Sequence, residues 1–303
     1  MIDLPLTRVT LPSGVELDTV DQGPRDAPVL IFLHGFPENH RSWRHQIVHF
    51  VERGFRCIAP DQRGYRGSYR PRDPDEYAAN AIIGDVFQLA TALEIERFTI
   101  VGHDWGGAIA WGVALAGQSG PVERCIIANG PHPLIFQQLL YTNREQREAS
   151  QYIRDFRDPS HDQELRAEGL GPFLERTTRW QAHDAMEPEE RDILMRDWED
   201  GEAGIAMLNW YRAATIDVPA MDAPFVVPDT YTAPPLPKLT IPTLVIWGED
   251  DAALPPANVA GLGRYVEDLT LVTIPQAGHF VQWEQPATVT AAMERFLRGN
   301  GEV

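Results

Sequence analysis

A single carboxylate, Asp104, stands between two glycines in the run Gly102-His103-Asp104-Trp105-Gly106. An apolar stretch leads into this run and a helix-forming stretch of small residues follows it, which predicts a strand, a sharp turn and a helix. The glycines let strand and helix approach closely around a strained residue. We therefore predict that Asp104 is a nucleophile at the apex of the turn. The alternative is that it only caps the helix, a common use of aspartate.

A nucleophile of this kind needs a base and an orienting acid, and two later turns offer them. His279 lies in a turn after an apolar strand and is the candidate base. The run 248–251, after another strand, contains three carboxylates, and the chain order of nucleophile, acid and histidine is that of known hydrolytic triads. The residues alone leave the choice of acid open. We expect the histidines in polar or helical contexts to be surface residues: His40, His45, His49, His161 and His183.

An aspartate nucleophile narrows the reaction class, because it attacks saturated carbon and forms an alkyl ester on the protein. Water activated by His279 would then hydrolyse that ester. The backbone N–H groups of Phe36 and Trp105 are expected to hold the oxyanion that develops. Epoxide opening and carbon–halogen cleavage remain as reactions. An epoxide oxygen needs acid-type donors, whereas a halide needs N–H groups or arginine in an apolar cage.

The elements that must position these residues alternate between buried strands and helices. This pattern predicts a mostly parallel, doubly wound α/β sheet, in which ligands bind beyond the carboxyl ends of the strands. The turns after Leu33, Pro60 and Gly102 should therefore converge on one site. We predict strands at residues 6–11, 15–20, 28–33, 55–59, 98–101, 124–128, 243–247 and 269–274, and helices at 43–51, 77–93, 106–114, 257–262 and 287–297.

The alternation stops between residues 134 and 221, where charged, helix-favouring sequence contains no apolar run typical of a buried strand. A proline-rich linker at 233–237 follows, and the strand–helix pattern then returns. We predict a core domain formed by residues 1–131 and 239–303, with residues 132–238 as a helical lid over the site. Two independent domains in tandem are disfavoured, because the sheet needs strands from both sides of the insertion.

Composition excludes several kinds of partner. The chain has 303 residues and a formal net charge of −18, which argues against nucleic acid and against an anionic membrane surface. Two cysteines without metal-site spacing fit a reducing compartment. We expect a cytoplasmic protein, because the N-terminus does not resemble a signal peptide and no run approaches the about 18 apolar residues of a membrane span. No metal site is predicted, and composition leaves the oligomeric state open.

Five motifs together resemble the epoxide hydrolase branch of the α/β-hydrolase superfamily, over nearly the whole chain. The resemblance implies the α/β-hydrolase fold with an inserted helical cap, no cofactor, and a small-molecule epoxide and water as partners. It also selects Asp251 as the orienting acid, since the family places that acid third after the glycine of the turn. The motifs are His34-Gly35-Phe36-Pro37, residues 61–65, residues 102–107, residues 248–251 and Gly278-His279-Phe280.

Two segments of the predicted lid resemble those in which epoxide hydrolases carry catalytic tyrosines. They are residues 208–212, which include Tyr211, and residues 151–156, which include Tyr152. The resemblance implies that both phenols bind the epoxide oxygen and donate as the ring opens. We expect further residues to border the substrate pocket, the two histidines among them through supporting hydrogen bonds: His34, Pro37, His103, Trp210 and Phe280.

Two alternatives remain open. Haloalkane and haloacetate dehalogenases use the same aspartate nucleophile. Phe36 offers no side-chain halide donor, however, and Trp105 and Ala108 stand where haloacetate dehalogenases have arginines. The second alternative is a non-catalytic ligand-binding receptor on the same scaffold. The intact set of Asp104, Asp251 and His279 argues against it.

Overall fold

Eight strands form one sheet in the computed structural model, which describes residues 2–178 and 186–299. They are β1 Leu6–Thr10, β2 Glu16–Gln22, β3 Val29–Leu33, β4 Arg56–Pro60, β5 Phe98–His103, β6 Val122–Ala128, β7 Thr243–Gly248 and β8 Leu269–Ile274. Their order is β1-β2-β4-β3-β5-β6-β7-β8. Strand β2 runs antiparallel to both of its neighbours, β1 and β4, and all other pairs of neighbouring strands are parallel. The sheet is the predicted doubly wound one, and it takes strands from both sides of the helical region.

The central strands are buried along their length, because helices cover both faces of the sheet. Every residue of β4, β5 and β7 is buried, which explains their continuous apolar sequence. Alternate residues belong to two separate cores: Ile31 and Leu33 of β3 to one, Leu30 and Phe32 to the other.

Helices among the described residues fall into two groups. One group flanks the sheet: α1 Arg44–Glu52, α2 Ala79–Ala92, α3 Asp104–Gly117, α11 Val281–Glu284 and α12 Pro286–Arg298. The other lies between β6 and β7, and we call it the helical insert: α4 Pro133–Thr142, α5 Arg144–Ala149, α6 Tyr152–Arg157, α7 Asp162–Glu168, α8 Leu170–Thr177, α9 Pro188–Glu199 and α10 Gly201–Ala213. Apolar residues of the insert join the core on the side of α2 and α3.

Four ion pairs join α9 and its flanking residues to the sheet domain, the name we use for the sheet and the helices that flank it. In each pair the arginine belongs to the sheet domain and the carboxylate to the insert. The N–O distances lie between 2.6 and 2.7 Å in the pairs Arg41–Glu190, Arg44–Glu187, Arg66–Asp197 and Arg70–Asp200. The indole of Trp198 also donates to the carbonyl of Pro37, at 2.9 Å. The insert is therefore held by charge as well as by apolar packing.

Two expectations from the sequence are wrong. Residues 257–262 do not form an α-helix but two single turns of 3-10 helix, Pro256–Val259 and Leu262–Arg264, separated at Gly261 by a left-handed backbone with φ of 83°. His40 is not a surface residue, because its imidazole is buried against Asp61 at 2.8 Å. His183 lies outside the described residues. Within residues 2–178 and 186–299, no helix has the length and apolar character that crossing a bilayer requires.

Candidate active site

Asp104 is the residue at which β5 turns sharply into α3. Its φ is 51°, in the left-handed region that non-glycine residues rarely adopt. Glycine is required around it: a Cβ on Gly35 would lie 2.5 Å from the Cβ of Asp104, and one on Gly102 would lie 2.2 Å from the carbonyl oxygen of Gly106. The side chain accepts a hydrogen bond from the loop after β3, so it does more than start a helix. The strained apex inferred from the glycine spacing is present.

The two oxygens of the Asp104 carboxylate have different surroundings. Oδ1 accepts the backbone N–H of Phe36 at 2.8 Å, and the carboxylate also accepts the backbone N–H of Trp105. Oδ2 lies 3.4 Å from Nε2 of His279. One oxygen is thus held by backbone donors, while the other faces the histidine.

His279 is joined to Asp251 at the carboxyl ends of β7 and β8. Its Nδ1 lies 2.8 Å from Oδ2 of Asp251, and Oδ1 of Asp251 accepts the backbone N–H groups of Ala253 and Leu254, both at 2.8 Å. Asp251 is buried, whereas its neighbours in the same turn, at positions 249 and 250, are exposed. Of the three carboxylates, therefore, Asp251 is the one that meets the histidine.

Asn129, directly after β6, supports this pair, and sequence reasoning missed it. Its side-chain amide donates to Oδ2 of Asp251 at 2.6 Å, and its side-chain oxygen accepts the backbone N–H of Gly248 at 2.9 Å. The available signal was a polar residue at the end of a buried strand. Asn129 fixes the carboxylate and the turn that carries it.

Burial and charge set the protonation states of His279 and Asp104. Burial lowers the pKa of His279, but the negative charges of Asp251 and Asp104 and the hydrogen bond to Asp251 outweigh it and hold that pKa well above its ordinary value. Burial raises the pKa of Asp104, but the close contact with His279 and its charge outweigh it, so the pKa of Asp104 is lowered. The geometry favours an ionised Asp104 beside a protonated His279.

Tyr152, at the start of α6, and Tyr211, in α10, face the same cavity as Asp104. Their ring centroids are 6.1 Å apart, with the rings nearly perpendicular at 78°. The indole of Trp105 packs edge-on against the ring of Tyr211, with centroids 5.1 Å apart. Burial raises the pKa of both phenols well above the ordinary value, and the negative charge of Asp104 raises it further. Both phenols therefore stay protonated and can donate hydrogen bonds.

The cavity that these groups share has a volume of about 440 Å³. One wall is α3, with side chains from Asp104 to Leu115 in contact with it, a length of roughly 16 Å at the helical rise. The opposite side is formed by the insert, including Ile153 and Ile216. Among the lining residues in the described part of the chain, only Asp104 carries a charged side chain. The space suits an uncharged, largely apolar ligand.

Comparison with known proteins agrees with this geometry. Residues 28–286 match the model of the alpha/beta hydrolase fold family. The chain is 32% identical to epoxide hydrolase 2 of Caenorhabditis elegans, over 94% of this chain and 78% of that protein. The chain belongs to the epoxide hydrolase branch of the α/β-hydrolase superfamily.

Solved structures of epoxide hydrolases share the fold closely. One from metagenomes of hot environments is 62% identical, with a TM-score of 0.96 over 98% of this chain and 100% of that one. The F128A mutant of an epoxide hydrolase from Bacillus megaterium, complexed with its product, a naphthyloxy-propanediol, is 28% identical, with a TM-score of 0.82 over 96% of this chain and all of that one. The predicted fold class and branch of the superfamily are confirmed.

The two histidines expected at the substrate pocket are not among the residues that line the cavity. Both are buried behind it. His34 accepts the backbone N–H of Gln62 at 3.1 Å, and His103 donates to the carbonyl of His279 at 2.8 Å. Burial lowers the pKa of His34 to about 4 and that of His103 to about 3, so both are neutral. They hold the catalytic loops in place, which was the supporting role expected of them.

Pro37, Trp210 and Phe280 were also expected to border the pocket; none of them is among the residues that line this cavity, and neither is His279. Trp210 points away because its indole donates to the carbonyl of Arg63 at 2.9 Å. Phe280 stacks on Trp283 with ring centroids 5.3 Å apart. The carbonyl of Pro37 accepts the indole N–H of Trp198, a residue of the insert. Periodicity and motif position placed these residues near the site but did not show which way they face.

A further acidic residue, Glu38, is buried close to His279 and was not singled out from the sequence. Its carboxyl group accepts hydrogen bonds from Ser42 at 2.6 Å and from the indole of Trp283 at 2.7 Å. It lies 3.9 Å from Nδ1 of His103. Burial raises its pKa to about 7, despite these hydrogen bonds. In the described residues, no cluster of three or more His, Cys, Asp or Glu side chains could hold a metal ion.

Proposed function

We propose that this protein hydrolyses an epoxide to a vicinal diol through a covalent ester on Asp104. The observation that carries the proposal is that two protonated phenols, Tyr152 and Tyr211, share one apolar cavity with an ionised carboxylate at a strained turn. A carboxylate can attack saturated carbon, and the phenols can donate to the oxygen that leaves it. The relationship to epoxide hydrolases supports the same reaction.

In the first step, Oδ2 of Asp104 attacks one carbon of the oxirane and the carbon–oxygen bond opens. The ring oxygen receives a proton from Tyr152 or Tyr211, which relieves the developing alkoxide charge. Trp105 positions Tyr211 for this role, because its indole packs edge-on against the phenol ring. The product of this step is a hydroxyalkyl ester of Asp104.

In the second step, His279 acts as the base. Esterification removes the negative charge of Asp104, which is one of the causes that raise the pKa of His279. The pKa of His279 therefore falls once the ester has formed. The imidazole then loses its proton, and the phenolate left by the first step is reprotonated. The neutral imidazole can now take a proton from water. The water oxygen attacks Cγ of Asp104, and the N–H groups of Phe36 and Trp105 stabilise the oxyanion on Oδ1. The ester bond breaks, the departing alkoxide takes the proton of the Asp104 carboxyl group, and the diol leaves while Asp104 returns to its ionised form.

Residues 132–238 are proposed to act as a lid on the core formed by residues 1–131 and 239–303. The lid supplies both tyrosines, and the ion pairs of α9 keep it closed over the cavity. The substrate class that fits is an uncharged epoxide with an apolar substituent lying along α3, with water as the second substrate. Dehalogenation is not favoured, because no arginine lines the described cavity wall.

A single-turnover experiment in water enriched in heavy oxygen tests the ester. With enzyme in excess over styrene oxide, the first diol should take ordinary oxygen from Asp104, and the peptide containing Asp104 should gain the heavy isotope. Heavy oxygen in the first diol would show direct attack by water and would refute the ester. Asp104→Ala should abolish turnover, and His279→Gln should accumulate an adduct visible by mass spectrometry. Asp250→Asn, an exposed carboxylate beside Asp251, is the matched control and should retain activity.

A further inference from the structure

A second cavity, of about 720 Å³, opens on the outer side of the helical insert. It lies between the loop of residues 70–74 and helices α6, α7 and α10. Two carboxylates, Asp162 and Glu202, line it together with five guanidinium groups: Arg70, Arg72, Arg157, Arg166 and Arg212. The whole chain has 44 acidic residues against 26 basic ones, so this cavity reverses the sign of charge that dominates the molecule. We call it the arginine cleft.

Three of these arginines are already paired with carboxylates. The pairs are Arg70 with Asp200 at 2.6 Å, Arg166 with Glu202 at 2.7 Å and Arg212 with Asp162 at 2.5 Å. Since each of these acids neutralises one arginine, two guanidinium groups of the cleft form no ion pair within the described residues: Arg72 and Arg157.

Arg157 is held by backbone groups alone in the described structure. Its guanidinium donates to the carbonyls of Tyr211, Ala214 and Ile216, at 2.8, 3.0 and 2.7 Å. Carbonyl groups are dipoles and do not cancel a full charge. Burial lowers the pKa of Arg157 and outweighs the opposing effect of the Asp217 carboxylate, which lies beyond ion-pair distance. Two of the five N–H groups of a guanidinium remain after these three bonds.

Arg72 is exposed, and no described side chain forms an ion pair with it. It stands between Pro71 and Pro74, whose rings restrict the loop. Ile205 and Ala206 of α10 give the cleft an apolar floor. The cleft thus combines two available cations with a rigid, partly apolar wall.

We propose that the arginine cleft binds a small organic oxyanion, a carboxylate or phosphate monoester attached to an apolar group. Guanidinium groups bind both kinds of oxyanion through paired N–H donors. The apolar part of such a ligand would lie on α10. Binding by the cations of the cleft should weaken as salt is added, because salt screens their attraction for the anion. Salt also screens the repulsion between the anion and the net negative charge of the protein, so a steep loss of affinity with salt indicates that the local cations hold the ligand.

The cleft lies on the opposite side of α10 from the catalytic cavity. Asn209 and Arg212 face the cleft, while Tyr211 faces the cavity. Because Arg157 binds the carbonyl of Tyr211, an anion that draws Arg157 outward acts on the backbone of a proposed catalytic residue. Occupation of the cleft should therefore change turnover without excluding substrate.

Calorimetric titration with phenyl phosphate at low ionic strength tests the site directly and does not depend on epoxide turnover. Saturable binding is expected with the native protein, while benzyl alcohol, which has no charge, should not bind in the cleft. Arg72→Ala should weaken phenyl phosphate binding about tenfold, which corresponds to about 1.4 kcal/mol. Arg25→Ala, an exposed arginine that does not line the cleft, is the matched control and should leave the affinity unchanged.

Three results would overturn the proposal. The first is the absence of saturable binding. The second is equal weakening by Arg72→Ala and Arg25→Ala, which would show a general effect of charge. The third is competitive displacement by 1-phenylethane-1,2-diol, which would place phenyl phosphate in the catalytic cavity. Titration with benzoate in parallel distinguishes a carboxylate preference from a phosphate preference.

Discussion

Replacing Glu38 by Gln should change how the stability of the protein depends on pH. Glu38 is buried, and its pKa in the folded protein is about 7, against an ordinary value of 4.5. Glutamine can accept the indole N–H of Trp283 through its one side-chain oxygen and can donate to the hydroxyl of Ser42 through its NH2 group, but it cannot ionise. The substitution therefore isolates the free energy linked to one proton.

The sign follows from the raised pKa. Below pH 4.5 the carboxyl group is neutral in both states, and its contribution to stability is fully present. Between 4.5 and about 7 the unfolded chain loses the proton while the folded protein keeps it, so that contribution is lost as pH rises. The gap from 4.5 to about 7 corresponds to roughly 3 kcal/mol. The stability of Glu38→Gln relative to the native protein should rise by that amount across this range.

Urea denaturation of both proteins at a series of pH values gives this difference, since contributions of all other groups cancel between them. Ser42→Ala provides a second test: it removes a hydrogen bond that lowers the pKa of Glu38, so the loss of stability should extend to higher pH. A stability difference between Glu38→Gln and the native protein that stays flat from pH 4 to 8 would refute the reasoning.

Tyr211→Phe should lower kcat for styrene oxide about 10²-fold, from the loss of roughly 2.7 kcal/mol of alkoxide stabilisation, as measured by diol formation; unchanged kcat would remove the phenol from the mechanism. Leu115→Trp should fill the end of the cavity farthest along α3 from the nucleophile. It should raise KM for long-chain epoxides more than about tenfold and leave propylene oxide unaffected, whereas an equal change for both would contradict the proposed orientation. Arg41→Ala leaves Glu190 buried without its partner and should cost roughly 3 kcal/mol in thermal unfolding. The exposed pair of Arg97 provides the control, and Arg97→Ala should cost less than about 1 kcal/mol.

The parallel sheet and the grouping of Asp104 with His279 could be predicted from short local patterns. A buried run followed by a glycine-rich turn shows where a parallel strand ends, and strand ends meet at one edge of the sheet. Asp104 directly follows the fully buried strand β5, whereas His279 lies in the turn after β8, an edge strand that is mostly accessible to solvent. The choice of Asp251 required the family resemblance, since three carboxylates share its turn.

Contacts between distant parts of the chain could not be predicted in the same way. Asn129 reaches Asp251 because β6 and β7 are neighbours in the sheet, although a long helical segment separates them in sequence. The burial of Glu38 depends on Trp283, from the far end of the chain. Trp210 was expected to border the pocket as part of a lid segment, and the sequence did not show that its indole bonds to the carbonyl of Arg63 in the sheet domain.

The arrangement of the four ion pairs at α9 has a consequence for protein engineering. In every pair the cation lies on the sheet domain and the carboxylate on the insert, so the two contacting surfaces are complementary in charge. A chimera that receives the insert of a relative would present Arg41 and Arg44 to whatever residues replace Glu190 and Glu187. Grafts intended to alter substrate range therefore need these acidic positions carried over first, before any residue of the cavity is redesigned.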